Sequence, residues 1–185
     1  MKRLIAIVLS VLALAALVGC SSGSGSGSKD RDYAQIIHDA RSDEDNEYRM
    51  IARPAEEEGK FTAIDGPSSE YTAEDLSDNI ANFTLPLLGL EEGDYEDFAA
   101  SVSDMMTQSY GVAIVKPAED KTDAVKEALQ NYVTNQQKTM ENYLFDQYEI
   151  AKAAVVETVP SGEVVLVCCE NSDAVFASIK AALAG

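Results

Sequence analysis

The stretch Ala154–Cys169, AVVETVPSGEVVLVCC, contains two valine-rich runs on either side of a short turn sequence. Valine favours extended backbone because its side chain is branched at Cβ and packs well on a pleated surface. A Pro-Ser-Gly sequence at 160–162 separates the runs, and residues of these types occupy tight turns. The stretch therefore predicts two antiparallel strands, Ala154–Val159 and Glu163–Cys169, joined as a hairpin.

Helical patterns lie on both sides of this hairpin. Downstream, Asn171 or Ser172 is a suitable N-cap for a last helix. Upstream, a long helical pattern begins near Asp120 or Thr122 and continues for about six turns. The positions that recur at three- and four-residue steps in the two helices are Val125, Leu129, Tyr132, Val133, Gln136, Met140, Tyr143, Leu144, Val175, Phe176, Ile179 and Leu183. We expect both sets to face the core.

Two further strands are predicted at Tyr95–Val102 and Tyr110–Lys116, and Pro117 ends the second. The order from Tyr95 is therefore strand, strand, helix, and then the same again. We predict an α+β domain in which a mostly antiparallel four-stranded sheet is covered on one face by both helices. The residues expected to share one core are Val125, Leu129, Val133, Val164, Leu166, Phe176 and Ile179.

An N-terminal helical region, Thr72–Leu88, is predicted to pack beside this sheet. Thr72 is a suitable N-cap, and Asp75 three residues later completes a variant of the capping box. Pro86 and Gly89 end or kink the helix. The apolar residues expected on its inner face are Leu76, Ile80 and Phe83.

Residues 29–71 form a polar N-terminal extension in this interpretation, and residues 72–185 form the α+β domain. One helical stripe in the extension begins at Tyr33 and ends near Arg41. Phe61–Ile64 has the composition of a short strand. The rest of the extension is charge-dense or punctuated by glycine and proline, which is typical of loops.

The N-terminus carries the features of a lipoprotein signal. Basic residues and then an apolar run to Val18 precede the sequence LVGC at 17–20, which resembles the lipobox of bacterial lipoproteins. This pattern predicts a signal peptide over residues 1–19, with acyl chains added to Cys20. Residues 20–28 then comprise the lipidated cysteine and a flexible tether of alternating serine and glycine.

We therefore expect the protein at the cell membrane, anchored through acyl chains on Cys20 and facing the extracytoplasmic side. Two acyl chains hold a protein at a bilayer stably, because each buried CH₂ contributes about 0.8 kcal/mol. The alternatives are an uncleaved membrane anchor and an ordinary secretory signal with a chance cysteine. The apolar run is shorter than the roughly 20 residues that a membrane span needs.

The charge of the chain excludes some partners. The sequence contains 32 acidic and 14 basic residues, a formal net charge of −18. Such a surface repels nucleic acid and anionic lipid headgroups, so neither is an expected partner. The acyl chains, and not a face of the protein, are expected to bind the membrane, and the expected macromolecular partner is another envelope protein.

Several blocks between Thr72 and Ala184 carry a likeness to a known family. They are Leu90–Phe98, Tyr110–Lys116, the long helix with its Gln136-Gln137-Lys138, Tyr143–Val156 and Val164–Leu183. Together they resemble the bacterial lipoprotein family catalogued as domain of unknown function 4358. The resemblance implies an anchored extracytoplasmic domain. It implies no activity, so no catalytic residue can be transferred to this chain.

The adjacent cysteines and the single histidine are the candidate reactive or metal-binding residues. Cys168 and Cys169 are adjacent, and adjacent side chains in a strand point to opposite faces, so we expect inert, buried thiols. His38 is the single histidine, and any metal site or Ser-His-Asp triad would have to use it. No ligand spacing surrounds it, so we expect an ordinary surface histidine.

Two acidic runs superficially suggest calcium. In Asp43–Glu47 the sixth position of an EF-hand loop, which requires glycine, would be Tyr48. Glu91–Asp97 is an equal candidate. Solvated loops are the expected structure of both runs, with weak divalent binding as the alternative.

No phosphate loop, paired zinc ligands or nucleophile elbow occurs in the sequence, so we assign no catalytic residue, metal or cofactor. The function expected is that of a lipid-anchored, non-enzymatic binding or interaction module at the cell envelope. The alternative is a cell-envelope hydrolase or metal-dependent enzyme without a recognisable motif. A concave pocket with converging carboxylates would favour the enzyme, and an exposed apolar patch would favour the partner surface.

Overall fold

The structure is a computed structural model that describes residues 31–185. The predicted signal peptide, the acylation site Cys20 and the Ser/Gly tether lie outside the described residues. Residues 32–185 form one compact unit. Within residues 31–185, no helix has both the length and the apolar character needed to cross a membrane.

A single antiparallel sheet forms the centre of this unit. Its strands are β1 (Ile51–Pro54), β2 (Phe61–Ile64), β3 (Tyr95–Val102), β4 (Gly111–Pro117), β5 (Val155–Thr158) and β6 (Val164–Cys168). They lie in the order β2-β1-β3-β4-β6-β5, and every neighbouring pair is antiparallel. The predicted hairpin is confirmed as β5 and β6, with the Val159 N–H donating to the Glu163 carbonyl at 2.9 Å across the turn.

The prediction of four strands is wrong, because the sheet has six. β1 and β2 come from residues 29–71, the segment interpreted as a polar extension. The short strand predicted at Phe61–Ile64 is confirmed as β2, although the prediction did not place it in the sheet. β1 has only 4 residues and buries only Ile51 and Ala52, so no alternation is visible in its sequence. β1 joins the sheet by pairing with β2 on one side and β3 on the other.

Helices cover both faces of the sheet. The longer ones are α1 (Tyr33–Ala40), α5 (Thr122–Met140), α6 (Phe145–Lys152) and α7 (Ser172–Ala184). The shorter ones are α2 (Asp43–Tyr48), α3 (Ala73–Asn79) and α4 (Leu85–Leu88), with a π-helical turn at Ile80–Thr84 and a 3₁₀ turn at Gly66–Glu70. The helical region predicted at Thr72–Leu88 is thus present as α3, the π turn and α4.

The expectation that α5 and α7 cover one face is also wrong. All five residues of β6 are buried, and alternate residues of a strand point to opposite faces. The sheet therefore has a hydrophobic core on each face. Val164 and Leu166 pack against α5 in what we call the first core. Val165 and Val167 pack against α7 and α1 in the second core. Phe176 and Ile179 of α7 therefore belong to the second core and not, as predicted, to that of Leu129.

The helical segment that Thr72 caps differs from the prediction in its second half, where it contains a π turn. The cap is confirmed, since Thr72 Oγ1 accepts from the Asp75 N–H at 3.1 Å. Leu76 and Ile80 are buried as expected, but the π turn places Phe83 with 64% of its surface exposed. A π turn contains an extra residue relative to the α-helical repeat, so later side chains rotate away from the predicted face.

The long helix ends earlier than predicted. α5 stops at Met140, and Tyr143 and Leu144 lie in the turn before α6, which the sequence pattern did not separate from α5. Gln137 Nε2 donates to the Ala151 carbonyl at 3.1 Å and so joins the two helices. Tyr143, expected on an inner face, is 87% exposed.

A candidate binding groove at one end of the sheet

A pocket of about 450 Å³ lies between the sheet and the segment from α3 to α4, and we call it the apolar pocket after the large apolar side chains in its lining. Ala52 of β1 and Ala100 of β3, which pair in the sheet, lie in its wall. Ile80, Phe83 and the loop between β3 and β4 enclose the other sides. Small side chains on the strands leave room for a guest, because alanine fills less of the space between a helix and a sheet than larger residues do.

Large apolar side chains at the mouth of this pocket are exposed to solvent. Among the residues described, eight large apolar side chains are exposed, and five of them line the pocket. These five are Tyr48, Tyr71, Phe83, Leu87 and Met105. Met106, adjacent in sequence, is 80% exposed. Single exposed apolar residues are ordinary, but a contiguous group of aromatic and methionine side chains marks an interaction site.

A central pocket of about 550 Å³ adjoins the apolar pocket. Tyr48, Arg49 and Gln108 line both. The central pocket lies at the sheet end where β4 begins and β6 ends, since Tyr110 and Cys169 line it and Gly111 pairs with Cys168.

Ser109 in the wall of the central pocket has an unusual environment. Its backbone N–H donates to Gln147 Oε1 at 2.8 Å. Its side chain is buried, with 3% of the residue exposed, and its Oγ has no hydrogen-bond partner. A buried hydroxyl without a partner costs about 1–3 kcal/mol, so native proteins rarely retain one without reason.

Arg49 forms the boundary between the two pockets. Its Nε donates to Asp45 Oδ1 at 2.9 Å, and its Nη2 donates to Gln108 Oε1 at 3.1 Å. Its guanidinium carbon lies 3.9 Å from the centre of the Tyr110 ring, which is a cation–π contact. These contacts hold the charged head in one position. Burial raises the pKa of Tyr110 above its ordinary value, so this phenol stays neutral.

A third pocket, of about 520 Å³, continues the depression beyond the central one. Ile150, Cys169, Glu170 and Asn171 line both. Its remaining wall includes Glu149 and Asp173, and we call it the acidic pocket. The apolar pocket shares lining residues with the central pocket, and the central pocket shares others with the acidic pocket, so we refer to the three neighbouring pockets together as the end groove.

The residues beneath the end groove are fixed by a buried arginine, Arg41, whose side chain is 0% exposed. Its guanidinium donates to Asn46 Oδ1 at 2.6 Å, Ser101 Oγ at 2.8 Å and Asp65 Oδ2 at 3.1 Å. It also donates to the Arg49 carbonyl at 2.6 Å and the Tyr110 hydroxyl at 3.2 Å. The network ties the end of α1 to the strands and holds the backbone of Arg49 beside the groove.

His38 lies in this network and not in the end groove. Its Nδ1 is 2.7 Å from Asp65 Oδ2, the same oxygen that accepts from Arg41. The His38 side chain is 37% exposed, as expected for a surface residue. The geometry gives it a carboxylate partner that the sequence did not predict, because the two residues are far apart in the chain.

The two cysteines lie as predicted. Cys168 packs in the first core and Cys169 in the second, and both are free thiols. Burial raises the pKa of Cys168 to about 12 and that of Cys169 to about 11. Neither thiol ionises near neutral pH, so neither is a nucleophile there.

The two acidic runs have different structures. Asp43–Glu47 is not a loop but most of α2, because Ser42 caps the helix and acidic side chains favour a helix N-terminus. In the second run, Lys121 Nζ donates to Asp94 Oδ1 at 3.0 Å, and Lys116 pairs with Glu96 at 2.6 Å. Within residues 31–185, no group of three or more His, Cys, Asp or Glu side chains is placed to hold a metal ion.

The molecule is therefore an α+β domain with helices on both faces of an antiparallel sheet and a groove at one sheet end. The model of a family described as domain of unknown function DUF4358 matches residues 70–170, and the chain belongs to this family. No curated protein and no solved structure matches the chain. The matched range contains Phe83, Leu87, Met105 and Ser109 of the end groove, whereas Tyr48 and Arg49 lie before it.

Proposed function

We propose that this protein is a non-enzymatic interaction module that binds an apolar segment of another envelope protein in the apolar pocket. Acyl chains on Cys20 hold it at the extracytoplasmic face of the cell membrane. The observation that carries the proposal is the group of exposed aromatic, leucine and methionine side chains around a preformed pocket.

The energetics favour a partner at this surface. Burying apolar area contributes about 25 cal/mol per Å², and the side chains of the pocket mouth remain exposed in the free chain. Aromatic residues, methionine and arginine are enriched in the centres of protein interfaces, and Tyr48, Phe83, Met105 and Arg49 meet here. Methionine is unbranched and flexible, so Met105 can adapt to the partner.

The N-terminal sequence supports the same role. Residues 21–28 contain only serine and glycine, a composition that offers no apolar side chain to a core. An acyl anchor joined to the domain through such a sequence would suit binding to a neighbouring membrane-associated protein.

Site-specific photocrosslinking in native membranes tests the proposal. The photoreactive amino acid p-benzoylphenylalanine replaces Phe83 in one variant and Tyr143 in the other. Both side chains are exposed aromatics, but only Phe83 lines the apolar pocket. We expect a discrete adduct from position 83, identified by mass spectrometry, which disappears when Leu87→Ser is added to the same chain.

Position 143 should give no such adduct, because it lies away from the pocket. The proposal fails if both positions give the same adducts. It also fails if the adduct from position 83 persists unchanged in the Leu87→Ser variant, since binding would then not depend on the apolar surface.

A further inference from the structure

We infer that the end groove selects a partner segment with a defined polarity: large apolar side chains enter the apolar pocket, and lysine or arginine side chains enter the central and acidic pockets. The inference rests on the proposed function and specifies the chemistry of the bound segment. The bound segment is a peptide that is apolar at one end and basic at the other.

The three pockets of the end groove adjoin one another. Tyr48, Arg49 and Gln108 form a wall common to the apolar and central pockets, and Cys169 and Glu170 belong to both the central and acidic pockets. Each pocket alone has about the volume of a small-molecule site. A series of three adjoining pockets fits an extended chain that places successive side chains in different surroundings.

The charged side chains in the walls of the end groove are predominantly acidic. The groove is lined by six acidic side chains and one basic side chain, Arg49. The acidic side chains are Glu44, Asp45, Asp104, Glu149, Glu170 and Asp173. Arg49 already donates to Asp45, and Lys152 donates to Glu149 from outside the groove. Glu44, Glu170 and Asp173 are exposed and attract a cationic partner, while they repel an acidic one.

Ser109 belongs to the wall of the central pocket, and its Oγ is buried without a hydrogen-bond partner. A serine oxygen has two lone pairs and accepts from an ammonium or guanidinium group. Because this oxygen has almost no accessible surface in the free chain, a cationic side chain in the pocket reaches it only when the Ser109 side chain turns toward the pocket, and it then supplies the missing partner.

A lipid is a poorer match for the same groove. An acyl chain suits the apolar pocket but leaves the polar pockets unused, and an anionic headgroup would meet Glu44 and Glu170. A peptide supplies both chemistries along one chain.

Fluorescence anisotropy with labelled synthetic peptides tests the inference on the whole folded chain. One peptide carries leucines and phenylalanines followed by lysines, the second has glutamates in place of the lysines, and the third has glutamines there. We expect the lysine peptide to bind at least about tenfold more tightly than the glutamate peptide, with the glutamine peptide between them.

Three variants test which pocket residues determine the affinity for each peptide. A Glu170→Gln, Asp173→Asn double variant should weaken the lysine peptide about tenfold and leave the glutamine peptide unchanged. Ser109→Ala should weaken the lysine peptide by several-fold without lowering the melting temperature. Leu87→Ser should weaken all the peptides. Glu119→Gln, which removes an exposed carboxylate outside the groove, should change nothing.

The results separate the two proposals. If Leu87→Ser weakens all peptides but lysine and glutamate peptides bind equally, the charge inference is overturned and the proposed function stands. If no peptide responds to Leu87→Ser, both are overturned. Tighter binding to phosphatidylglycerol or phosphatidylcholine vesicles than to the lysine peptide would overturn the peptide occupant in favour of a lipid surface.

Discussion

Arg41 Nη2 and His38 Nδ1 converge on the same carboxylate oxygen, Asp65 Oδ2, at 3.1 and 2.7 Å. Asp65 has φ +62°, a conformation that residues other than glycine rarely adopt. The two contacts fix the turn between β2 and the 3₁₀ segment against the end of α1. The first prediction concerns the arginine, because its charge is wholly buried.

Replacing Arg41 by methionine removes all five hydrogen bonds that its guanidinium donates and leaves Asp65 without its buried cation. We expect Arg41→Met to lower the free energy of unfolding by about 3–5 kcal/mol, measured by urea denaturation. Arg53→Met is the matched control, since its ion pair with Asp32 is exposed and should contribute less than about 1 kcal/mol. Equal midpoints for the two variants would contradict this role of Arg41.

Gly66 is required by its surroundings as well as by its backbone angle. Its φ is +50°, and an added Cβ would lie 2.7 Å from the Arg49 carbonyl carbon. We expect Gly66→Ala to destabilise by more than about 2 kcal/mol. Gly59→Ala, at φ +73° but with nothing within 4 Å, should cost only about 1 kcal/mol in thermal unfolding. A smaller loss at Gly66 than at Gly59 would contradict the steric account.

Leu129 lies at the centre of the first core with 0% of its surface exposed. Leu129→Ala should lower the free energy of unfolding by about 2–5 kcal/mol, because it removes buried methyl groups and leaves a cavity. Leu87→Ala, at a position that is 40% exposed, should cost much less. An unchanged melting midpoint for Leu129→Ala would refute the packing.

Asp94 should stabilise the fold in a pH-dependent manner. The Glu91 backbone N–H and the Lys121 ammonium lower the pKa of Asp94, so its stabilisation is present above the unfolded value of about 4 and is lost as pH falls through the folded pKa. Asp94→Asn should therefore destabilise most near pH 7, with the difference shrinking below about pH 4.

Asp97 provides the contrast for that measurement. Burial raises the pKa of Asp97, so its ionised form opposes folding at neutral pH. Asp97→Asn should therefore be neutral or stabilising at pH 7 in the same urea titrations. Identical pH profiles for the two variants would show that neither carboxylate behaves as its surroundings indicate.

The anchor is tested separately from the fold. In the proposed lipoprotein the thioether to diacylglycerol forms on the Cys20 thiol, so Cys20→Ser should incorporate no fatty-acid analogue in metabolic labelling. The variant should remain as uncleaved precursor or be released after cleavage elsewhere. Its melting temperature should match that of the wild-type chain, because the compact unit begins at Asp32. Equal labelling of both proteins would contradict lipidation at Cys20.

The sequence predicts an element well where its hydrophobic pattern is long or where its turn residues are specific. β3 has the predicted bounds, and the turn between β5 and β6 was predicted from its Pro-Ser-Gly sequence. β1 was missed because a strand of 4 residues that ends in Arg-Pro shows no periodicity. Helical periodicity identifies the inner face of α7, but it does not say which side of the sheet that face covers.

The end groove was not predictable for related reasons. The helical periodicity predicts that Phe83 faces inward, but the π turn rotates its side chain toward solvent. Gln108 and Tyr48 are distant in sequence and meet through the folding of the sheet. Arg41 is a charged residue that sequence rules place at the surface, yet its many acceptors allow complete burial.

The family model does not match the two helices, α1 and α7, that cover one face of the sheet. The matched range, residues 70–170, contains β3 to β6 and α5 but omits α1, β1, β2 and the whole of α7. A polypeptide trimmed to those limits would leave Val112, Ile114 and Val165 bare, because α1 and α7 normally cover them. Such a fragment should self-associate in solution. The range that the family model matches is therefore shorter than the compact unit of this chain, residues 32–185, which needs α1 and α7 to bury the second face of its sheet.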